Sequence, residues 1–237
     1  SMLKSREATA EEEQRCGLVH RVYLPERAGL ERVPLAVLVH GRAGDCRVPW
    51  VFSKALETLR PIVVAPQAPI ADPIGGFSWW LMDHPPETES PAVVQTTAAQ
   101  LDLPMRRLSS FIENAAELYG ADPERVVALG FSQGAAMLST LSLRYPERFQ
   151  AVGILAGFIP RAAMEQQVRR PEALPQYFIA HGTSDPVVPF QRAEESRNYL
   201  EQLGAKVFFH QENVGHKVGT AGIRALRSWL ESLPEIR

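Results

Sequence analysis

The chain has 237 residues, 45% of them hydrophobic, and a formal net charge of −2 at pH 7. This length and composition are sufficient for one sizeable buried core. The balanced charge excludes nucleic acid and anionic membrane surfaces as expected partners. No stretch approaches the roughly 20 apolar residues of a membrane span, and the first residues carry no apolar signal-peptide core. We therefore expect a cytoplasmic protein without stable membrane insertion.

Short β-branched runs alternate with longer helical patterns along the chain, which is typical of a parallel sheet covered by helices on both faces. The predicted strands are at 18–24, 35–39, 62–65, 126–130, 151–156, 176–181 and 206–210. The predicted helices are at 50–59, 103–119, 133–144, 191–203 and 220–233. We expect an α/β fold with a mostly parallel central sheet of about seven strands. Residues 16–237 are interpreted as a single domain, and residues 1–15 as an N-terminal extension that need not be ordered.

Ser132 lies between Gly130 and Gly134 in the segment VVALGFSQGAA, directly after an apolar run and directly before a small-residue helix start. A strand that turns sharply into a helix strains its central residue, and glycines two positions away relieve the crowding. Such a turn lifts Ser132 Oγ clear of the sheet and places the Gln133 backbone N–H where it can hold a developing oxyanion. The alternative is a chance Gly-x-Ser-x-Gly in a loop. The flanking strand and helix patterns argue against it.

A serine hydroxyl needs a base that takes its proton and an acid that orients the base. When the serine follows a strand in this way, the acid and then the histidine come later in the chain, each after a strand. Asp185 follows the strand at 176–181, and His216 follows the strand at 206–210. We predict Asp185 as the acid and His216 as the base.

Chain position argues against the other histidines as the base. Three of them precede the serine, one shares the loop of the acid, and one lies in or at the end of a strand. In this order they are His20, His40, His84, His181 and His210. Asp185 has a structural alternative, because an aspartate before proline commonly initiates a turn.

The strand at 35–39 runs into the loop His40-Gly41-Arg42-Ala43-Gly44-Asp45, whose glycines allow the backbone to curl towards the nucleophile. A second oxyanion donor is expected from the loop at this point in the chain. We predict that the Arg42 backbone N–H supplies it. The Arg42 side chain has two alternatives, contact with an anionic substrate or an ordinary surface position.

Two irregular stretches are candidates for the substrate pocket. Residues 65–97 are rich in proline and glycine, yet their centre, FSWWLM at 77–82, is too apolar for a solvated loop. It is interpreted as a pocket wall, with a loop-packing cluster as the alternative. Residues 158–175 are a candidate lid. The predicted pocket residues are Trp79, Trp80, Met82, Phe158 and Ile159.

Five motifs follow one another along most of the chain: HGRAGD at 40–45, SWWLMD at 78–83, GFSQGA at 130–135, HGTSDPVVP at 181–189 and VGH at 214–216. In this order they resemble the phospholipase/carboxylesterase family of α/β-hydrolases, which includes acyl-protein thioesterases and small bacterial carboxylesterases. The resemblance implies the α/β-hydrolase fold, a Ser132-Asp185-His216 triad, and oxyanion amides from Arg42 and Gln133. At Ala43 family members usually have glycine, and the second motif usually has a single tryptophan.

The same resemblance implies hydrolysis of carboxylic esters or thioesters, lysophospholipids included, through an acyl-enzyme and without a cofactor or metal. The expected partner is a small-molecule ester, with short to medium acyl chains or aromatic groups, and the protein is a monomer or a homodimer. One alternative is a dienelactone-hydrolase-like enzyme or a deacetylase, although Ser132 replaces the usual cysteine of the first. Another is a non-catalytic protein that keeps the hydrolase scaffold to bind an apolar ligand.

Overall fold

The computed structural model describes residues 1–27, 32–82, 96–167 and 171–234, and its ten strands form two sheets. In chain order the strands are β1 (Arg6–Glu7), β2 (His20–Tyr23), β3 (Val33–Val39), β4 (Ile62–Pro66), β5 (Ile70–Ala71), β6 (Phe77–Ser78), β7 (Ala121–Phe131), β8 (Ala151–Leu155), β9 (Gln176–Gly182) and β10 (Val207–Glu212). The large sheet has the order β1-β2-β4-β3-β7-β8-β9-β10, and β5 and β6 form an antiparallel hairpin.

All neighbours from β4 to β10 in the large sheet are parallel, whereas β2 is antiparallel to β4 and β1 is antiparallel to β2. The predicted α/β class with a mostly parallel sheet is confirmed. All seven predicted strands are present, and β1 adds an eighth. β7 begins at Ala121, five residues before the predicted start at 126.

The helices are α1 (Ala10–Cys16), α2 (Ala98–Tyr119), α3 (Gln133–Arg144), α4 (Arg161–Glu165), α5 (Phe190–Gln202) and α6 (Thr220–Ser232). A helix is predicted over residues 50–59, and the structure has a 3₁₀ helix there, over Val48–Leu59. Pro146–Arg148 form a second 3₁₀ helix. α2 begins five residues before the predicted position because Thr97 and Gln100 form a capping box at its start. The helix then continues through Pro104.

Side chains alternate across β3 because successive residues of a strand point to opposite faces of the sheet. Leu35, Val37 and Val39 belong to the core that α2, α3 and α5 cover. Ala36 and Leu38 belong to the opposite core, under the long 3₁₀ helix and α6. The sheet is therefore covered on both faces, as predicted.

The N-terminal residues 1–15, expected as an extension, are part of this structure. β1 pairs with β2, and a capping box between Thr9 and Glu12 starts α1. The Leu3 backbone accepts a hydrogen bond from Trp50 Nε1 at 2.6 Å and donates one to Ser53 Oγ at 3.1 Å. The predicted boundary at residue 16 therefore does not coincide with a boundary in the structure.

The carboxyl ends of the parallel strands lie at one edge of the sheet, where open α/β sheets bind their ligands. The predicted site residues follow four of these ends: Arg42 after β3, Ser132 after β7, Asp185 after β9 and His216 after β10. The fold therefore places loops that are distant in sequence at a common edge.

Candidate active site

Ser132 lies in the turn between β7 and α3 with a left-handed backbone, φ 54° and ψ −115°. Such a conformation is strained for a residue with a side chain and persists only where the surroundings impose it. The chain is crowded on both sides of the turn. A Cβ on Gly130 would lie 2.6 Å from the Gly134 carbonyl oxygen, and one on Gly134 would lie 2.4 Å from the Val39 carbonyl oxygen. The two glycines therefore permit the sharp turn that the motif predicts.

The structure brings Ser132, His216 and Asp185 together in one chain of hydrogen bonds. His216 Nε2 lies 3.1 Å from Ser132 Oγ, and His216 Nδ1 lies 2.8 Å from Asp185 Oδ2. The second carboxylate oxygen of Asp185 accepts hydrogen bonds from the backbone N–H groups of Val187 and Val188, at 2.8 and 2.9 Å. Both oxygens of the buried carboxylate are therefore held in place.

The charge state of Asp185 fixes the tautomer of His216. Burial alone would raise the pKa of Asp185, but hydrogen bonds from His216 and from the Val188 and Val187 amides outweigh burial and leave the pKa below its ordinary value. An ionised carboxylate only accepts hydrogen bonds, so Nδ1 of His216 carries the proton. Nε2 then presents its lone pair to the Ser132 hydroxyl.

The loop that carries His216 is anchored at both ends. Glu212 Oε1 accepts a hydrogen bond from the Gly219 backbone N–H at 2.9 Å. A Cβ on Gly182 would lie 2.2 Å from the Val214 carbonyl oxygen, so this loop packs directly on the end of β9. The His216 side chain keeps 21% of its surface exposed and is therefore open to a substrate.

The two predicted oxyanion amides belong to segments that adjoin Ser132. Gln133 is the first residue of α3, where a backbone N–H has no carbonyl within the helix to bind. The Arg42 loop approaches from β3, since a Cβ on Gly41 would lie 3.2 Å from Ser132 Cβ. Within the part of the chain that the structure describes, neither amide donates a hydrogen bond to a backbone carbonyl.

The β5–β6 hairpin holds the Arg42 loop, a contact that the sequence did not reveal. Ser78 Oγ accepts a hydrogen bond from the Ala43 backbone N–H at 2.9 Å and donates one to Asp72 Oδ2 at 2.8 Å. The Phe77 backbone N–H donates to the Gly44 carbonyl at 2.7 Å. Because Ala43 has a φ of 58°, these contacts fix a strained turn next to the nucleophile.

The Asp72 carboxylate stays ionised under this loop. Its pKa lies below the ordinary value, chiefly because the Ile74 backbone N–H donates to it and also because of Ser78 and Arg42. Arg42 Nε lies 3.9 Å from Asp72 Oδ2. The Arg42 side chain, for which the sequence left two alternatives, therefore forms an ion pair with the hairpin.

Three of the residues predicted to line the pocket do not line an open pocket in the structure. Trp79, Phe158 and Ile159 have no exposed surface. Trp79 supports the loop from behind: its Nε1 donates to the His40 carbonyl at 3.0 Å. Its backbone N–H donates to the Gln133 side chain at 2.8 Å. The apolar composition of both segments reflects core packing, which for residues 77–82 is the loop-packing alternative given by the sequence.

The other two residues predicted to line the pocket are Trp80, which is buried, and Met82, which is partly buried. Trp80 is buried to 4% exposure, and its carbonyl accepts a hydrogen bond from Gln133 Nε2 at 3.0 Å. Met82 is partly buried and packs against the core. Residues 83–95, with His84, and residues 168–170 of the candidate lid lie outside the described residues. The lid segment begins in the core, at Phe158, and then forms α4.

Two histidines beside the triad are structural. His40 Nδ1 donates to the Gly41 carbonyl at 2.7 Å, and Nε2 accepts from the Ala68 backbone N–H at 2.9 Å. His181 Nε2 donates to the Val188 carbonyl at 2.8 Å. Burial lowers the pKa of both side chains, so both are neutral at pH 7. Their hydrogen bonds shape the loops that carry Arg42 and Asp185.

Two findings bear on cofactors and membranes. Among the residues that the structure describes, no group of three or more His, Cys, Asp or Glu side chains is arranged to hold a metal ion. No helix in the same residues combines the length and the apolar character needed to cross a bilayer.

Comparison with known proteins agrees with this geometry. Residues 31–233 match the family described as Phospholipase/Carboxylesterase. The chain belongs to this family. As a member of the phospholipase/carboxylesterase family it is a carboxylic ester hydrolase with an α/β-hydrolase fold. The resemblance stated from the five sequence motifs is confirmed.

Two relatives with a curated description are each 28% identical to this family member over the aligned residues. Lysophospholipase-like protein 1 of Mus musculus is 28% identical over 176 residues, covering 70% of this chain and 69% of the relative. Acyl-protein thioesterase 1 of Yarrowia lipolytica is 28% identical over 228 residues, covering 89% and 95%. Both alignments therefore span most of each protein.

Solved structures give the same fold. The crystal structure of esterase PE8 has a TM-score of 0.76 and 27% identity, covering 89% of this chain and 96% of that one. The carboxylesterase of Bacillus cereus has a TM-score of 0.75 and 20% identity, covering 94% and 98%. The second likeness concerns the fold alone.

Proposed function

We propose that this protein is a serine hydrolase that cleaves carboxylic esters or thioesters through an acyl-enzyme. Ser132 is the nucleophile, His216 the general base and acid, and Asp185 the residue that orients His216. The observation that carries the proposal is the hydrogen-bond chain from Ser132 Oγ through His216 to Asp185, with distances of 3.1 and 2.8 Å. Such a chain activates a hydroxyl that is otherwise a weak nucleophile.

In the first half-reaction, Ser132 Oγ attacks the carbonyl carbon of the ester while His216 Nε2 takes the hydroxyl proton. Asp185 stabilises the imidazolium that forms but does not take a proton itself. The carbonyl oxygen becomes an oxyanion that the Arg42 and Gln133 amides stabilise. When the tetrahedral intermediate collapses, the bond to the alcohol or thiol breaks, and His216 gives the proton to that leaving group.

In the second half-reaction, water replaces the alcohol. The water oxygen attacks the acyl carbon while His216 Nε2 takes a proton from that water. The same two amides stabilise the second oxyanion. The bond to Ser132 Oγ then breaks, and the proton passes from His216 to that oxygen. The carboxylic acid leaves and the enzyme returns to its starting state.

The names of the relatives support both substrate classes, because one relative is a thioesterase and another is lysophospholipase-like. Both reactions pass through the same acyl-enzyme and need the same residues. We therefore propose the common chemistry, an acyl group transferred from oxygen or sulfur to water. No observation favours a non-catalytic binding protein, because the three triad side chains are intact and hydrogen-bonded.

Labelling with a fluorophosphonate probe tests the proposal, because the probe reacts with an activated serine. The parent protein should be labelled, and Ser132→Ala should not. Ser184→Ala is the matched control: Ser184 is an exposed serine on the loop next to Asp185, where it binds Asn213, and this variant should be labelled like the parent. A parent protein that is folded but stays unlabelled would favour the binding-protein alternative.

A further inference from the structure

An apolar groove of about 210 Å³ is lined by the residue before Ser132 and the residue after His216, and the mechanism above does not use it. Its apolar walls come from the long 3₁₀ helix, the end of β7, and the start of α6 with the loop before it. The residues that form these walls are Val48, Val51, Phe52, Phe131, Val218 and Ile223. Val48 and Val51 are more than a third exposed, so the groove leaves apolar surface in contact with water. Covering that surface with an apolar ligand group is favourable.

The groove adjoins the segments that carry the candidate active site. Phe131 directly precedes Ser132, and the groove residues Lys217 and Val218 directly follow His216. His40, which begins the Arg42 loop, also lines it. Consecutive Cα atoms are about 3.8 Å apart, so two wall segments begin one residue away from Ser132 and His216, and His40 lies two residues before Arg42. The Phe131 ring packs against His216 with ring centres 5.1 Å apart.

This position puts the groove on the histidine side of the nucleophile. His216 Nε2 has to give its proton to the leaving oxygen or sulfur, so the leaving group must lie on that side in the first half-reaction. The acyl group, which stays bound to Ser132, occupies a different direction from the same carbon. The groove, whose walls include Phe131 and Val218, is therefore positioned to bind the substituent on the leaving oxygen or sulfur.

We propose that the groove binds the apolar alcohol or thiol part of the substrate, and that the enzyme prefers esters whose leaving group is about the size of one aromatic ring. The proposal rests on the serine hydrolase function proposed above. The size follows from the volume, because a cavity of roughly 150 Å³ is enough to hold benzene, and the groove has about 210 Å³.

The test varies the alcohol and holds the acyl group constant. Benzyl and methyl alcohol have similar acidity, so benzyl acetate and methyl acetate differ mainly in the group that would enter the groove. We expect kcat/KM for benzyl acetate to exceed that for methyl acetate by at least about tenfold, since even one buried methylene is worth about that factor in a fitted site. Equal values for the parent protein would overturn the proposal.

Val51→Trp fills the groove from the 3₁₀ helix, away from the triad. The ratio of kcat/KM for benzyl over methyl acetate should fall by about tenfold, because the tryptophan would occupy the space that the benzyl group needs. Val19→Trp is the matched control, an exposed valine outside the groove, and should keep the parent ratio. A variant that instead changes the preference among methyl esters of different acyl length would assign the groove to the acyl group and overturn the proposal.

A second measurement needs no variant and does not depend on how Val51→Trp folds. A bound alcohol can replace water in the second half-reaction: its oxygen attacks the acyl carbon, the bond to Ser132 Oγ breaks, and its proton passes through His216 to that oxygen. With p-nitrophenyl acetate as donor, benzyl alcohol should be acetylated in preference to methanol at equal concentration. Equal acetylation would contradict the groove assignment. Failure of the parent to release nitrophenol at all would contradict the proposed function itself.

Discussion

Replacement of Ser78 by alanine isolates the part that the β5–β6 hairpin plays in positioning the Arg42 amide. The Ser78 hydroxyl is fully buried and joins two groups, the Ala43 backbone N–H and the Asp72 carboxylate, at 2.9 and 2.8 Å. Ser78→Ala removes both hydrogen bonds. The adjacent turn then loses a contact that holds Ala43 at a φ of 58°.

The expected losses follow from these two bonds. A hydrogen bond to a charged group contributes about 1.5–3 kcal/mol, and an orphaned buried N–H costs about 1–3 kcal/mol, so we expect the free energy of unfolding to fall by about 2.5–6 kcal/mol. Complete loss of an oxyanion donor lowers kcat by about 100- to 1000-fold, and Ser78→Ala displaces the Arg42 donor without removing it. We therefore expect kcat to fall by about 10- to 100-fold, with KM within about threefold, because the oxyanion is absent from the bound substrate and forms only as the tetrahedral intermediate is reached.

The assay is p-nitrophenyl acetate hydrolysis, with urea unfolding of the same preparations. Ser142→Ala is the control, since Ser142 is also fully buried and hydrogen-bonded, to Ser139 and Tyr177. It should lose stability but keep its kcat. A trifluoromethyl ketone forms an adduct with the serine that mimics the oxyanion. Its Kd for Ser78→Ala should exceed its Kd for the parent by the same factor by which kcat/KM falls. Equal kcat values for Ser78→Ala and Ser142→Ala would refute the positioning role.

Two further predictions concern the triad acid and the buried histidines. Asp185→Asn should lower kcat by about 10⁴-fold near pH 7.5, because an amide no longer favours the tautomer with the proton on Nδ1; a loss below about tenfold in the same ester assay would contradict its role. Burial lowers the folded-state pKa of His20, His40 and His181. Below about pH 6.5 the unfolded chain binds more protons than the folded protein does. The free energy of unfolding therefore decreases as the pH falls below that value, by up to about 1.4 kcal/mol per pH unit for each histidine. Urea unfolding at about pH 7.5 and about pH 5.5 measures this loss, and equal stabilities would contradict it.

The triad could be predicted from the sequence because its positions depend on chain order and strand ends. A strand, a Gly-x-Ser-x-Gly turn and a helix are contiguous, and the segments that carry Asp185 and His216 each follow a readable apolar run. The structure brings the three side chains together. Their catalytic roles, cytoplasmic localisation and the oligomeric state stay predictions.

The support around the triad could not be predicted because it depends on contacts distant in sequence. Ser78 binds the Ala43 amide across 35 residues, and no local pattern marks the pair. Trp79 and Phe158 were misassigned because composition identifies an apolar segment but not whether it faces a pocket or the core. The sequence does carry a local signal for the start of α2, because Thr97 and Gln100 have the spacing of a capping box.

The most direct test of the central claim is hydrolysis of p-nitrophenyl esters of increasing acyl length by the parent protein and by Ser132→Ala. The account predicts turnover by the parent, and turnover lowered to a small fraction of the parent rate in Ser132→Ala at every length. Both proteins should give the same unfolding transition to within the effect of one buried hydroxyl. Comparable turnover by the two proteins would contradict the assignment of Ser132 as the nucleophile.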